Sequence, residues 1–428
     1  MPVPVTPLLI HPVRRALAGP HVAVPASRSV ANRELLLSAV ADGVSHLDLG
    51  RYDPGDDVRA MCGALAALGY EVRADGSGHV RIAGRPTPPA PRGVVDARMS
   101  GTVSRFVTVL AALGSEPARI DGAERLRERP IGPLARALRD LGATVDGERL
   151  PLMVRGPLTG GMVVVPGNES SQFASALLLS GPRMRHGLDL RLAGSTVNAP
   201  FIELTAASLR ARGVRVDRPS ADRFVVSPQR VRARSCVVGG DVITATYPAA
   251  AAAILGGEVT IDNVDARVRT GGQGDARFFE VLERMGCSVR RTASSVTVSR
   301  VGRLSGLRAD LRAFADSFPT LAVVAALAEG PTEISGIGYT RRHESDRIAS
   351  VAAGLRALGA GADELADGLR IHPSPRLRGA TVSAAGDHRV AMAFAVLGLQ
   401  VPGVVINDPD CVSKTFPGFF DLLRRLAR

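Results

Sequence analysis

Residues 64–72 read ALAALGYEV, an apolar helical phrase that closes on glycine and runs straight into a short strand. The phrase returns as ALRDLGATV at 137–145, SLRARGVRV at 208–216, VLERMGCSV at 281–289 and GLRALGAGA at 354–362. Its glycines, Gly69, Gly142, Gly213, Gly286 and Gly359, lie 73, 71, 73 and 73 residues apart. A fixed period of this size means that one supersecondary unit is used again and again. The 428 residues hold six such units, and the helical pattern FFDLLRRLAR stands where the sixth would close.

A second helical phrase comes earlier in each unit: NRELLLSAVADG, SRFVTVLAALG, SQFASALLLSG, TATYPAAAAAILGG, SFPTLAVVAALAEG and HRVAMAFAVLG. These run to Gly43, Gly114, Gly181, Gly256, Gly330 and Gly398, where a left-handed glycine cap is expected, and strand-like alternation follows in VSHLDL, EVTIDN and TEISG. The unit therefore reads strand, helix, strand, helix, strand. Helices apolar on every face need burial on every face, which a solenoid would not give them. Six units are expected to pack as two globular halves of three.

Composition narrows the function. Apolar residues make up 45% and charged ones 22%, enough for two or three domains with full cores. The opening MPVPVTPLLIHPVRR lacks a signal-peptide core, and the most apolar stretch, 391–406, is interrupted by Gln400 and Pro402. Cys62, Cys236, Cys287 and Cys411 are far apart, so neither a disulfide framework nor a zinc site is indicated. A cytoplasmic protein without membrane contact is expected. The net charge is +12, and of 53 cationic residues only Lys414 is a lysine. The arginines stand singly or in pairs, and with no Trp and four Tyr there are few platforms for stacking bases, so nucleic acid is not the expected partner. Small anions are.

The polar residues gather where the first helix of each unit begins. Arg28, Ser29, Asn32 and Arg33 lie there, as do Gly101, Thr102 and Arg105, then Ser170, Ser171 and Gln172, Asp241 with Thr244, Asp316 with Ser317, and Asp387, His388 and Arg389. Ser, Thr and Asp at a helix start ordinarily act as N-caps. Arginine there is different, because the amino end already carries partial positive charge and an added cation calls for an anion between. Arg129, Arg277 and Arg347 add cations before the second helices. Acid–base candidates near them are Asp316, His343, Glu344, Asp387 and His388, with Asp346 and Asp387 also readable as plain ion-pair partners. No GxxxxGK[ST], GxGxxG or GxSxG motif is present, so no nucleotide cofactor or serine nucleophile is expected.

Eight stretches in order, PASRSVANRELLLSA, GTVSRFVTVLAALG, RERPIGPL, SSQFASALLLS, GDARFFEVLERMG, HESDR, GDHRVAMAFAVLGL and SKTFPGFFDLL, resemble the motifs of the 5-enolpyruvylshikimate-3-phosphate synthase family. The resemblance runs from about residue 20 to the end. It implies the two-domain α/β enolpyruvyl transferase fold, an inside-out α/β barrel of six βαβαββ units, three per domain. Domain 1 would comprise 1–25 with 240–428 and domain 2 would comprise 26–239, with hinges near 25 and 240 and helix amino ends facing a cleft that closes on substrates. It also implies the reaction: transfer of the enolpyruvyl group from phosphoenolpyruvate to the hydroxyl of shikimate 3-phosphate, releasing phosphate through a tetrahedral intermediate, without metal or cofactor. That step belongs to the shikimate pathway toward chorismate and the aromatic amino acids. A monomer is expected.

Residue by residue, Arg28, Gly101, Arg129, Gln172, Arg347, Arg389 and Lys414 match the family's phosphoenolpyruvate contacts. Arg28, Ser29, Arg33, Thr102, Ser170, Ser171, Gln172, Asn198, Asp316, Tyr339 and His343 match the acceptor site, the serine pair holding the phosphate. Asp316 matches the carboxylate that deprotonates the attacking hydroxyl, Glu344 the acid serving the methylene carbon, and Arg28 and Lys414 complete the catalytic set. Departures cluster on the acceptor side: Arg28 and His343 stand where lysine is usual, Tyr339 for Asn, Phe201 for Tyr, Met99-Ser100 for Asn-Ala, Ala26 for Gly and Gly386 for Asn. They leave two alternatives open: a paralogue acting on another phosphorylated acceptor, such as a nucleoside monophosphate, and a non-catalytic anion-binding protein. The related UDP-N-acetylglucosamine enolpyruvyl transferase is disfavoured, since the loop before Arg129 has no cysteine.

Overall fold

The computed structural model describes residues 6–427. They divide into two compact units, one of residues up to 25 with those from 239 on, the other of 26–238. Each has its own apolar core, and neither core borrows a side chain from the other. Gly239, expected in the second domain, belongs with the unit that follows it.

The first repeat carries α1 (Arg28–Ala39) and α2 (Asp56–Ala67); the second α3 (Gly101–Ala111), the single turn α4 (Glu124–Arg127) and α5 (Gly132–Asp140); the third α6 (Ser171–Ser180) and α7 (Ala199–Ala211). The fourth has α8 (Val242–Leu255) and α9 (Arg277–Arg284), the fifth α10 (Phe318–Ala325) and α11 (Arg347–Ala357), the sixth α12 (His388–Gly398) and α13 (Phe419–Leu426). Every residue of α10 and α12 is buried, as is all of α8 except Leu255. Burial all round follows from their composition: runs such as Ala249–Ala253 have no polar face to offer water. Within each unit the first helices of the three repeats pack on one another.

Each repeat folds a small sheet beneath its helices. In the third, Gly161–Pro166 runs parallel to Leu188–Ala193 because α6 crosses over between them, and Arg223–Val226 with Asp217–Ser220 closes the sheet as an antiparallel hairpin. The first and fourth repeats use the same order but take their leading strand from elsewhere in the chain. Ser235–Val237 pairs with Gly43–Asp48, and Leu17–Ala23 pairs with Gly257–Asp262. Leu8–Leu9 completes the sixth sheet against Val405–Ile406. These three exchanges are why the amino-terminal residues belong to the later unit and why the chain passes between units twice.

All five glycines of the ALAALGYEV phrase have positive φ, between 82° and 108°, so each second helix ends in the left-handed turn its sequence predicts. The closing glycines of the first helices behave less uniformly. Gly43, Gly256 and Gly330 have positive φ, whereas Gly181 is right-handed and Gly398 lies inside α12. Gly398 is needed for proximity instead: a Cβ there would come within 2.8 Å of Ile10. No helix is long and apolar enough to cross a membrane among the described residues.

Candidate active site

In the unit built on 239–428, the starts of α10, α11 and α12 meet around one arginine. Arg347 opens α11, whose amino end is capped by Asp346 accepting from Ala349 N at 3.0 Å. Its side chain is 1% exposed. Nε donates to Asp387 Oδ2 at 2.7 Å, Nη1 to Asp316 Oδ1 at 2.8 Å, and Nη2 to Glu344 Oε2 at 2.6 Å. Burial works against its charge, but Asp387, Glu344 and Asp316 outweigh burial and hold the guanidinium ionised. His343 Nδ1 lies 3.1 Å from Arg347 Nη1, with the ring of Tyr339 edge-on to the imidazole.

Two further cations join the cluster. Arg389, buried in the first turn of α12, donates from Nη2 to Asp316 Oδ2 at 3.0 Å; burial works against its charge, but Asp316, Tyr247 and Glu344 together outweigh burial and keep it ionised. Lys414, in the turn Pro409–Lys414, donates to Glu344 Oε1. Asp316, which has no arginine beside it in sequence, is thus gripped by two in space. Asp387 does double duty, capping α12 at Arg389 N and bracing Arg347, with Ser345 Oγ donating to it at 3.2 Å. The plain ion-pair reading of Asp387 is therefore the one the geometry bears out.

The unit of 26–238 carries a second group. Arg33 on α1 is buried and donates to Thr205 Oγ1, Ser175 Oγ, and the carbonyls of Ser29 and Phe201. Its guanidinium also lies over the rings of Phe106 and Phe201, 5.5 and 5.7 Å from their centroids. All four acceptors are neutral, and burial pulls its pKa down. A buried cation held only by neutral oxygens is suited to an incoming anion. Arg105 on α3 donates to Gln172 Oε1 and to the Pro130 carbonyl, so the starts of α3 and α6 are tied together. Arg129 lies so flat against the first residue of α3 that a Cβ on Gly101 would stand 2.8 Å from its guanidinium. Glycine is needed there for close approach, not for an unusual φ.

Ser170 caps α6, accepting from Gln172 N at 3.2 Å, and Ser171 is that helix's first, buried residue. Ser29 and Thr102 are half-buried in the first turns of α1 and α3. Asn198 precedes α7 in a left-handed conformation, φ 50°, and its buried Oδ1 has no hydrogen-bond partner among the described residues. Arg28 opens α1 and pairs with Asp57 at 3.3 Å. Asp57 did not stand out in the sequence; the usable signal was the Asp-x-Arg pattern that opens second helices, as in GDDVRAM and GDARFF. Arg277, grouped above with the other cations, is exposed and makes no part of the cluster. His388 is fully buried, its Nδ1 4.0 Å from Asp387.

The sequence pattern of EPSP synthase (3-phosphoshikimate 1-carboxyvinyltransferase) matches residues 14–423. A 3-phosphoshikimate 1-carboxyvinyltransferase of Methanosphaerula palustris is 42% identical over 408 residues, 93% of this chain and 95% of the relative. One from Thiobacillus denitrificans is 38% identical over 427 residues, 97% and 98% of the two chains. The solved EPSP synthase from Acinetobacter baumannii superposes with a TM-score of 0.80 at 26% identity, covering 98% of this chain and 97% of its own. The enolpyruvyl transferase NikO from Streptomyces tendae superposes at 0.76 over 99% of this chain and 98% of its own, and at 19% identity speaks for the fold alone.

Proposed function

The chain belongs to the EPSP synthase (3-phosphoshikimate 1-carboxyvinyltransferase) family, and from that premise we propose how its residues perform the transfer. It is a transferase that moves the enolpyruvyl group of phosphoenolpyruvate to shikimate 3-phosphate. The observation that carries the residue assignment is the cluster of Arg347, Arg389 and Lys414 with Asp316 and Glu344, a set of cations and carboxylates gathered around the starts of α10, α11 and α12.

Arg347, Arg389 and Lys414 hold the carboxylate and phosphate of phosphoenolpyruvate, a role the family resemblance also gives to Arg129 and Gln172. Arg33, without an anionic partner among the described residues, takes a negative group of the acceptor, while Ser29, Thr102, Ser170, Ser171 and Asn198 supply hydrogen bonds, the serine pair to its phosphate. Asp316 removes the proton of the attacking hydroxyl as oxygen bonds to C2 of the enol. C3 gains a proton in that addition and loses one as phosphate leaves, so the site needs a group able to give and recover it. Glu344 fills that role with Lys414, whose ammonium can release a proton where a guanidinium cannot. Arg28, paired with Asp57, keeps the positive charge of the usual lysine but takes no part in proton transfer. His343 and Tyr339 line the acceptor side. The crossings at 25/26 and 238/239 serve as hinges, and the protein acts as a cytoplasmic monomer without a cofactor.

Phosphate release from phosphoenolpyruvate with shikimate 3-phosphate tests the assignment. Turnover with that acceptor is the expected result; inactivity with it and turnover with a nucleoside monophosphate would overturn it.

A further inference from the structure

Asp275 lies outside every role assigned above. It sits in the turn Gly274–Ala276 that leads into α9 and is completely buried. Its Oδ1 accepts a 2.6 Å hydrogen bond from Ser317 Oγ, the neighbour of Asp316 in sequence. Its Oδ2 is equally inaccessible, and no donor among the described residues reaches it. A bare anionic oxygen in such a place costs far more than a neutral carboxyl, so the surroundings favour the acid form.

The neighbouring charges push the same way. The turn packs against α8, α9 and the Ala315–Ser317 turn. From α8 comes Asp241, whose buried carboxyl caps the helix; from the Ala315–Ser317 turn comes Asp316. On α9, Arg277 and Glu280 face solvent. Among the described residues the cation that compensates is Arg389 of α12, already engaged by Asp316. Burial first, and then the charge of Asp316, push Asp275 up to about 8 from 3.8, with Ser317 and Arg389 only partly offsetting them.

We propose that Asp275 is a positioning residue held as a carboxylic acid: it anchors Ser317, and so the turn bearing Asp316, without adding charge, and its ionisation in alkali sets a second anion beside Arg389 and weakens use of phosphoenolpyruvate. The inference rests on the assignment of Asp316 and Arg389 to the transferase site. The proton lost passes to bulk base, and Arg389 then answers to two carboxylates before any substrate. The pH sign follows from the same shift. The folded protein binds more protons than the unfolded chain between the two pKa values, so this carboxyl's contribution to stability is present at acid pH and lost as pH rises toward about 8.

Two measurements test it. In whole protein with 13C-labelled aspartate carboxyls, one carboxyl is expected to titrate near pH 8, the value burial gives it here; titration of every aspartate below about pH 6 would overturn the proposal. That reading needs neither a variant nor turnover, so its failure is separate from failure of the transferase assignment. Kinetically, Asp275→Asn keeps an oxygen for Ser317 and carries no charge. It is expected to retain kcat at neutral pH within about tenfold and to lose the alkaline fall in kcat/KM for phosphoenolpyruvate. A larger loss at neutral pH in a folded variant, or an unchanged alkaline limb, would overturn it.

Discussion

Arg347 is among the largest fully buried side chains in the protein, and three carboxylates divide its donors between them. Charge is tolerated there because its partners are matched in turn: Asp316 by Arg389, Glu344 by Lys414, and Asp387 by hydrogen bonds from Ser345 Oγ and the Arg389 backbone N–H. The composition takes on meaning at this scale: arginine fills nearly every cationic position, and the single lysine stands against the carboxylate to which proton transfer is assigned. Asp316→Asn keeps the shape of the residue and removes the base. It is expected to lower kcat by about 10²- to 10⁴-fold while KM changes little, read from steady-state phosphate release. A near-normal rate would take the base role away from Asp316.

Among the elements, the helix starts carry the chemistry and the helix faces carry the packing that fixes them. α11 and α12 approach closely because Gly354 has no side chain: a Cβ there would lie 2.4 Å from the Phe394 ring. Alanine would favour the helix by about 1 kcal/mol over glycine, yet forcing a methyl into the ring costs about 1–3 kcal/mol. Gly354→Ala should therefore destabilise the protein by about 1 kcal/mol, seen as a lower denaturant midpoint with an unchanged slope. A higher midpoint would show that Phe394 yields freely. The repeat made these helices readable in advance, together with the left-handed caps of the second helices; the left-handed caps expected at Gly114, Gly181 and Gly398 did not form. It did not reveal Gly398, whose role is to let Ile10 pass, a contact 388 positions away in sequence.

For the molecule as a whole, the chain forms two separate cores and crosses between them twice, and the hinges proposed above fall at those crossings. With both substrates present the radius of gyration in solution scattering should fall, and an unchanged radius would count against hinges at 25 and 238. Much of this architecture was legible in the chain. Period, apolar runs and turn glycines express local backbone and burial preferences, which depend on near neighbours, and so the six units, their helices and the gathering of polar residues at helix starts could be read directly. The candidate residues were legible through ordered motifs, again a property of the chain.

What the chain alone left open was partnership. That Asp316 is held by Arg347 and Arg389, that Asp57 meets Arg28, that Arg33 has only neutral acceptors and that Asp275 is buried beside Asp316 all depend on residues tens to hundreds of positions apart. The exchange of Leu17–Ala23 and Ser235–Val237 between the first and fourth repeats likewise rests on strand pairing over long separations. The repeated element, its helices and the residue types at their starts follow from local backbone and burial preferences and were set by the order of residues alone. Which charges face one another, and that one oxygen of Asp275 is buried without a donor among the described residues, emerged with the packed chain, because electrostatic and desolvation energies depend on distance in space.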